Sequence, residues 1–545
     1  RMARVDGHRV VLIRTADAVH ALDAACPHEG YGMTQGTLTG DVITCAWHNW
    51  KFRVADGRCV RGEEDIVSHA VEIDAGGDIR VHLTAPDPDA ARPRLLASLR
   101  NGIARNYVGQ ISRDVVRLLQ TSADPGELVW EAIAYGAPRA EFGWGHAIAS
   151  ATDCLAMLAD YDGDQRALPI VQAIAGIAET ERGRPPRALP PPDRHLPADG
   201  ATAFRTRVEG EDLAGAQSLV IAAIEAGHGP ADLRPWFTGA VSDHHLSYGH
   251  GAIYAQKAFQ LLDRLGWDRA ATVLPHLVPA LIYGTREDQL PYMRPFMRGL
   301  TTLDLGRLAE IDTDPTWSDD GTLLAALLGR DRAAPLTAAV AALHDGAGVD
   351  GLLRTVGEAV SQRMLRYDVE GEFVFEDDFG WLDITHGLTY ANAARWHHQH
   401  LPGPDTVRLA LFTAFLAFWT GRHEWHTSVL PPADVDPRPG DLAAACAGGM
   451  AADAVAFALG LPAVDAAAGL RRAALLDRTA TVIVHAHGVK MARAASDEAV
   501  AIGNSMPLAA TARFLAAPKL ERFVAATVTR SIDFVAGRVP RPDDE

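Results

Sequence analysis

Cysteine is scarce in this chain, five residues in 545. That excludes a disulfide-stapled scaffold and points to a reducing, cytoplasmic setting. Long apolar runs are missing too. The longest, Leu409 to Trp419, is too short to cross a bilayer. The first β-type stretch begins at once, so no signal peptide is expected. Positive charge is in deficit: 51 Lys and Arg against 69 Asp and Glu leave a net charge of −18. Nucleic acid and anionic membrane surfaces are therefore not expected as partners. Two cofactor signatures are also missing. No C-x-x-C-H offers covalent haem attachment, and no G-x-G-x-x-G follows a strand to hold a flavin or nicotinamide. Apolar residues, by contrast, make up 48% of the chain, enough for large cores in two to four domains.

Near the start, Cys26-Pro27-His28 is followed after sixteen residues by Cys45-Ala46-Trp47-His48, a C-x-H-x16-C-x2-H pattern. Two thiolates and two imidazoles are what a [2Fe–2S] centre with mixed ligation needs, and its neutral imidazoles raise the potential over an all-thiolate cluster. The same donors also suit a tetrahedral zinc site. The surroundings favour the iron reading. Residues 3 to 83 resemble a Rieske ferredoxin of the kind that serves bacterial oxygenases. The likeness lies in Cys26-Pro27-His28, the Gly36-Thr37-Leu38-Thr39-Gly40 turn, Cys45 and His48, Trp50-Lys51-Phe52, and Asp56-Gly57. It implies a small antiparallel β fold with the cluster at its tip, Cys26 and Cys45 on one iron, and His28 and His48 on the other. High-potential Rieske proteins add a Cys to each ligand loop. Here those loops read Glu29-Gly30-Tyr31 and Ala46-Trp47, which implies a lower-potential centre without a loop disulfide.

The residues themselves support a β domain over 1–84. Arg9–Ile13 and Val19–Leu22 are short β-type runs, and Ile79–Leu83 alternates with period two. A Pro- and Asp-rich stretch, 85–95, reads as a linker. Beyond it Ala and Leu recur at i, i+3, i+4 spacing, so 96–545 is expected to be all-α. The fold class is thus multidomain, a small all-β domain followed by a large all-α one. Pro-rich stretches near 184–200 and 431–440 mark possible seams in the helical part.

That helical part repeats a His followed by a small residue: His146-Ala147, His250-Gly251, His386-Gly387 and His487-Gly488. The separations of 104, 136 and 101 residues are too irregular for a solenoid. Small residues let helices pack closely, and a lone His in such a place is more often a core residue. Four copies favour a convergent metal site, with His146, His250, His386 and His487 as first candidates and His245 and His426 next. Asp383 precedes His386 by three residues, and Glu424 lies beside His423. Both are candidate carboxylate ligands or orienting groups, and His245, Glu424 and Asp383 are the candidate catalytic residues. Glu225-Ala226-Gly227-His228 matches one half of a di-iron E-x-x-H pattern but runs into a helix stop and has no second copy. His245 and His250 reproduce the H-x4-H of ring-hydroxylating oxygenases, yet Asp243 is one residue too close. The pieces around His250 and His386 faintly resemble the questin-oxidase-like group of all-helical proteins, linked to oxidation of aromatic polyketides.

A one-electron store joined to a His-rich domain suggests an O2-dependent oxygenase. In this reading a [2Fe–2S] cluster feeds a His-ligated non-haem iron that acts with O2 on a small organic substrate, an aromatic one included. With no nucleotide signature in the chain, a separate NAD(P)H-dependent reductase would load the cluster. Two alternatives stay open: a metal-free helical oxidase that uses the cluster as electron acceptor, and a redox-sensing or electron-carrier protein with a helical docking scaffold. Oligomeric state, a homo-oligomer included, is open as well.

Overall fold

In the computed structural model the described residues are 1–545 except 63, 85–86, 375–378, 426–436, 439, 522–523 and 538–545. They fall into two compact units. One comprises 1–132 with 163–178, the other 133–162 with 179–545. An N-terminal β region, as expected, is followed by a large helical region.

In the first unit nine short strands form two antiparallel sheets. One runs β1 (Met2–Val5), β2 (His8–Arg14), β3 (Val19–Asp23), β8 (Ser68–Ile73) and β9 (Ile79–His82). The other runs β4 (Thr37–Thr39), β5 (Val42–Thr44), β6 (Lys51–Arg53) and β7 (Cys59–Arg61). Period-two patterning turns Val11 and Ile13 of β2, Leu22 of β3, Ile43 of β5 and Phe52 of β6 into one buried cluster, which also takes in Cys26, Met33 and Cys45. The two ligand loops, 24–36 and 45–50, therefore have one end anchored in the core. Directly after the strands the same unit has the helices α1 (Pro88–Arg105) and α2 (Val108–Gln120). Asp87 caps α1 by accepting from the Asp89 backbone N–H, and Pro88 is tolerated at the first helical position because its missing N–H would have no partner there. Much of the Pro- and Asp-rich stretch is thus the opening of a helix.

The second unit is helical. Four of its helices carry the His-plus-small pairs: α3 (His146–Ala156), α4 (His250–Leu265), α5 (Trp381–His400) and α6 (Val482–Ile502). α3 packs on α4, α4 on α5, α5 on α6, and α6 on α3, closing a ring of four. The small residues admit neighbours from outside the ring, Val360 on the helix Gly348–Arg366 and Leu246 in the turn before α4. A Cβ at Gly387 would meet Val360 at 2.8 Å, and one at Gly251 would meet Leu246 at 2.9 Å. Residues 184–199 are free of helix up to Gly200–Glu209. Most of the second seam, 431–440, lies outside the described residues.

Candidate metal centres

The first ligand loop closes on itself: the Cys26 N–H donates to the Tyr31 carbonyl and the Gly30 N–H to the Cys26 carbonyl, both at 2.8 Å. In the second loop the Cys45 N–H donates to the Trp50 carbonyl at 2.7 Å. These turns set Cys26 and Cys45 within hydrogen-bonding reach of each other, both free thiols and both buried. Burial, then the neighbouring Cys45, pushes the Cys26 thiol up to about 12. Burial thus opposes ionisation of Cys26, whereas a bound metal deprotonates its thiols outright. Beside them the His28 and His48 rings meet edge to face at 4.6 Å, and His28 stacks on Trp50 at 4.5 Å. A thiol pair next to an imidazole pair is the donor set of a mixed-ligand [2Fe–2S] centre. A residue far along the chain touches it as well: the Tyr107 hydroxyl lies 3.1 Å from His28 Nε2 and donates to the Glu29 carboxylate.

In the second unit His146, His250, His386 and His487 bring four ring nitrogens within 4.8 Å of one another. The Nε2 atoms of His146 and His250, of His250 and His386, and of His386 and His487 are each 3.0 Å apart. His250 directs Nδ1 to the Ser247 carbonyl and His487 directs Nδ1 to the Ile483 carbonyl at 2.7 Å. A carbonyl can only accept, so both rings carry their proton on Nδ1 and present a bare lone pair at Nε2. Burial drives all four below the ordinary histidine range, His250 to about 3, so extra protons do not fill the gap. Only His146 and His386 can carry a proton on Nε2, so at most two N–H groups serve the three 3.0 Å contacts, whereas one cation between the rings satisfies all four lone pairs. The spacing fits one: with metal–nitrogen bonds of about 2.1 Å, ligands at right angles sit about 3.0 Å apart.

Around the quartet, Tyr254 Oη reaches His146 Nδ1 at 3.2 Å, and Tyr248 stacks on His386 with ring centroids 5.7 Å apart. Lys490, one helical turn after His487, is 1% exposed with no hydrogen-bond partner for Nζ. Burial lowers it to about 7, and its charge in turn disfavours protonation of the four imidazoles. Lys257 forms a buried pair with Asp153 at 2.7 Å.

The other sequence candidates lie elsewhere. His245 is fully buried between Tyr390 and Phe412, with centroids 5.5 and 5.6 Å away, and burial lowers it to about 4. Its Nε2 is 3.5 Å from Glu287. Asp383 accepts from the Gly380 N–H at the start of α5 and bonds the Tyr248 hydroxyl. Glu424 pairs with the buried Arg363. None of the three contributes to the group of four. His426 lies outside the described residues. Sequence reasoning missed Lys490 and Tyr107. The only signal for Lys490 was its i, i+3 spacing from His487 in a small-residue helix, and Tyr107 gave none.

With this geometry in hand, residues 1–68 are a Rieske [2Fe–2S] domain, matching the family model of that description. The chain is similar to the cholesterol 7-desaturase nvd of Xenopus laevis, 40% identical over 57 residues, 10% of this chain and 13% of that protein. It is also similar to the oxygenase component of a 3-ketosteroid-9-alpha-monooxygenase of Rhodococcus rhodochrous, 42% identical over 50 residues, 9% of this chain and 13% of the relative. A third relative is the ferredoxin component of the alkene monooxygenase system of Xanthobacter autotrophicus, 38% identical over 55 residues, 10% of this chain and 45% of that protein. The chain thus spans less than half the length of each of these relatives. Among the described residues no helix is long and apolar enough to cross a membrane.

Proposed function

We propose that the protein is an O2-dependent oxygenase of small organic, aromatic substrates, with a Rieske cluster on Cys26, His28, Cys45 and His48 and a non-haem iron on His146, His250, His386 and His487. The cluster would supply single electrons and the iron O2 activation. The observation that carries this reading is the convergence of four neutral imidazoles on one buried point.

The protein's own part is preparation. The Ser247 and Ile483 carbonyls and the Tyr254 hydroxyl fix the ring orientations, and burial keeps competing protons away. A quartet without a carboxylate leaves the bound metal its full positive charge. Tyr248, Tyr254 and Tyr390 surround the quartet and His245 with aromatic rings. A separate NAD(P)H-dependent reductase would load the cluster. The relatives named as oxygenase and ferredoxin components agree with such a division of labour.

Metal analysis of the purified full-length chain tests the proposal. Three irons per chain are expected, two in the cluster. His250→Ala and His386→Ala should each lower the count to two while the Rieske electron paramagnetic resonance (EPR) signal stays. A parent protein with a loaded cluster and no third iron overturns the reading.

A further inference from the structure

The cluster end of the Rieske domain is completed by a residue from the helices that follow it. Asn106, in left-handed conformation at φ 52°, ends α1, and the Tyr107 N–H donates back to the Gly102 carbonyl at 2.9 Å. Tyr107 then starts α2, accepting from the Ile111 N–H at 3.0 Å. α1 and α2 pack closely, since a Cβ at Gly102 would meet Ile111 at 3.2 Å. The pair is tied to the β7–β8 loop by an ion pair between Arg117 and Glu64. The Tyr107 side chain is therefore held from two sides, and its hydroxyl arrives at His28 Nε2.

A ligating imidazole binds metal through one nitrogen and carries N–H on the other. A hydroxyl can accept one bond and donate another. The chain His28 Nε2–H to Tyr107 Oη, then Tyr107 O–H to Glu29 carboxylate, uses each group in its one consistent role. Glu29 also lies 4.0 Å from His48 Nε2, so a single carboxylate serves both imidazoles, one through Tyr107 and the other across that gap.

We propose that Tyr107 links His28 to Glu29 by an outer hydrogen-bonded chain, with the Glu29 carboxylate also 4.0 Å from His48, positioning His28 and holding down the reduction potential of the cluster. Accepting from the N–H of a ligand makes that ligand a stronger electron donor to its metal, and a nearby negative charge favours the oxidised cluster, which carries one more positive charge. Both effects act against reduction. Tyr107 belongs to a helix outside residues 1–68, so the potential of this cluster is set partly by the segment that follows the Rieske domain.

This inference rests on the cluster reading, and the test separates the two. The full chain, Tyr107→Phe and Glu29→Gln are each checked for two cluster irons and a Rieske EPR spectrum, then titrated to their midpoint potentials. Absence of the spectrum from the parent overturns the cluster reading itself. With the cluster loaded, Tyr107→Phe should raise the equilibrium constant for one-electron reduction about tenfold, a midpoint shift of about 59 mV. Glu29→Gln should shift it in the same direction. The EPR g values of Tyr107→Phe should also move, because the imidazole loses its anchor. A midpoint in Tyr107→Phe equal to that of the parent, or a lowered one in Glu29→Gln, overturns the proposal.

Discussion

Burial decides charge at individual residues here, and it does so in both units. The four imidazoles of the quartet are kept neutral by it, and Lys490 is brought to about 7 by the same cause. Asp114 of α2 shows what this costs in stability. It is fully buried, and burial pushes its carboxyl up to about 6, against the lowering influence of Ser98 and Arg117. In the unfolded chain an Asp titrates near about 3.9. The folded state therefore holds this proton more tightly than the unfolded one. The group's contribution to stability is fully present below about 4 and is lost as the pH rises through about 6, a loss of about 3 kcal/mol at most. Asp114→Asn should be more stable than the parent at pH 7.5, by about 1–3 kcal/mol, and the advantage should vanish near pH 4. Thermal unfolding at both values measures it, and a variant less stable at pH 7.5 sinks the assignment. Such residues are hard to read in a sequence. The four His could be singled out because each precedes Ala or Gly, a local pattern. Lys490, Tyr107 and Asp114 owe their character to neighbours far along the chain, so no local pattern marks them.

One element of the site stores backbone strain. Between Leu246 and α4 the chain places Ser247 at φ 46°, Tyr248 at φ 57° and Gly249 at φ 88°, three successive left-handed residues. Non-glycine residues there cost roughly 1–2 kcal/mol each, and such outliers persist where the surroundings over-determine them. The turn has two visible effects. It stacks Tyr248 on His386, and it sets the Ser247 carbonyl where His250 Nδ1 can reach it. Gly249 is needed twice over, since a Cβ would also come within 2.3 Å of the Tyr390 ring. Gly249→Ala should therefore destabilise the helical unit by about 2–4 kcal/mol and lower its metal occupancy, leaving the Rieske EPR signal intact. Gly229→Ala is a fair control, because a Cβ there would meet nothing within 4 Å and the residue lies outside the four ring helices. Equal metal content in the two variants would refute this role for the turn. Elements were the most legible level of the sequence: the short β-type runs became β2 and β3, the alternating Ile79–Leu83 became β9, and Ala- and Leu-rich windows became helices. The strained turn was not legible, because Ser-Tyr-Gly carries no strong left-handed signal apart from its glycine. The opening of α1 was misread for the opposite reason, since Pro and Asp mark a helix start as well as a loop.

At the scale of the molecule two centres are proposed, and they rest on different kinds of support. The cluster is backed by a family match over residues 1–68 and by buried paired thiols. The quartet has only its geometry. Its helices were legible as helices, and its four His as a set, but their closure into a ring depends on contacts between residues 101 to 136 positions apart and, for the closing pair His146 and His487, 341 apart. If the cluster serves the quartet, deleting either centre must stop the same reaction at different stages. Cys26→Ser should lose the Rieske spectrum, keep one iron per chain and consume no O2 with a reductase and NAD(P)H. His386→Ala should keep a cluster that the reductase reduces at the parent rate, yet lose O2 consumption by at least about 100-fold, the upper end of what removing a metal's orienting partners costs. The reduced cluster should then persist in air far longer than in the parent, because its electron has no acceptor. Stopped-flow absorbance of the cluster and an oxygen electrode read the two quantities on one sample. Rapid O2 consumption by His386→Ala would assign the chemistry to some other part of the chain, and unaltered turnover in Cys26→Ser would remove the cluster from the path of the electrons.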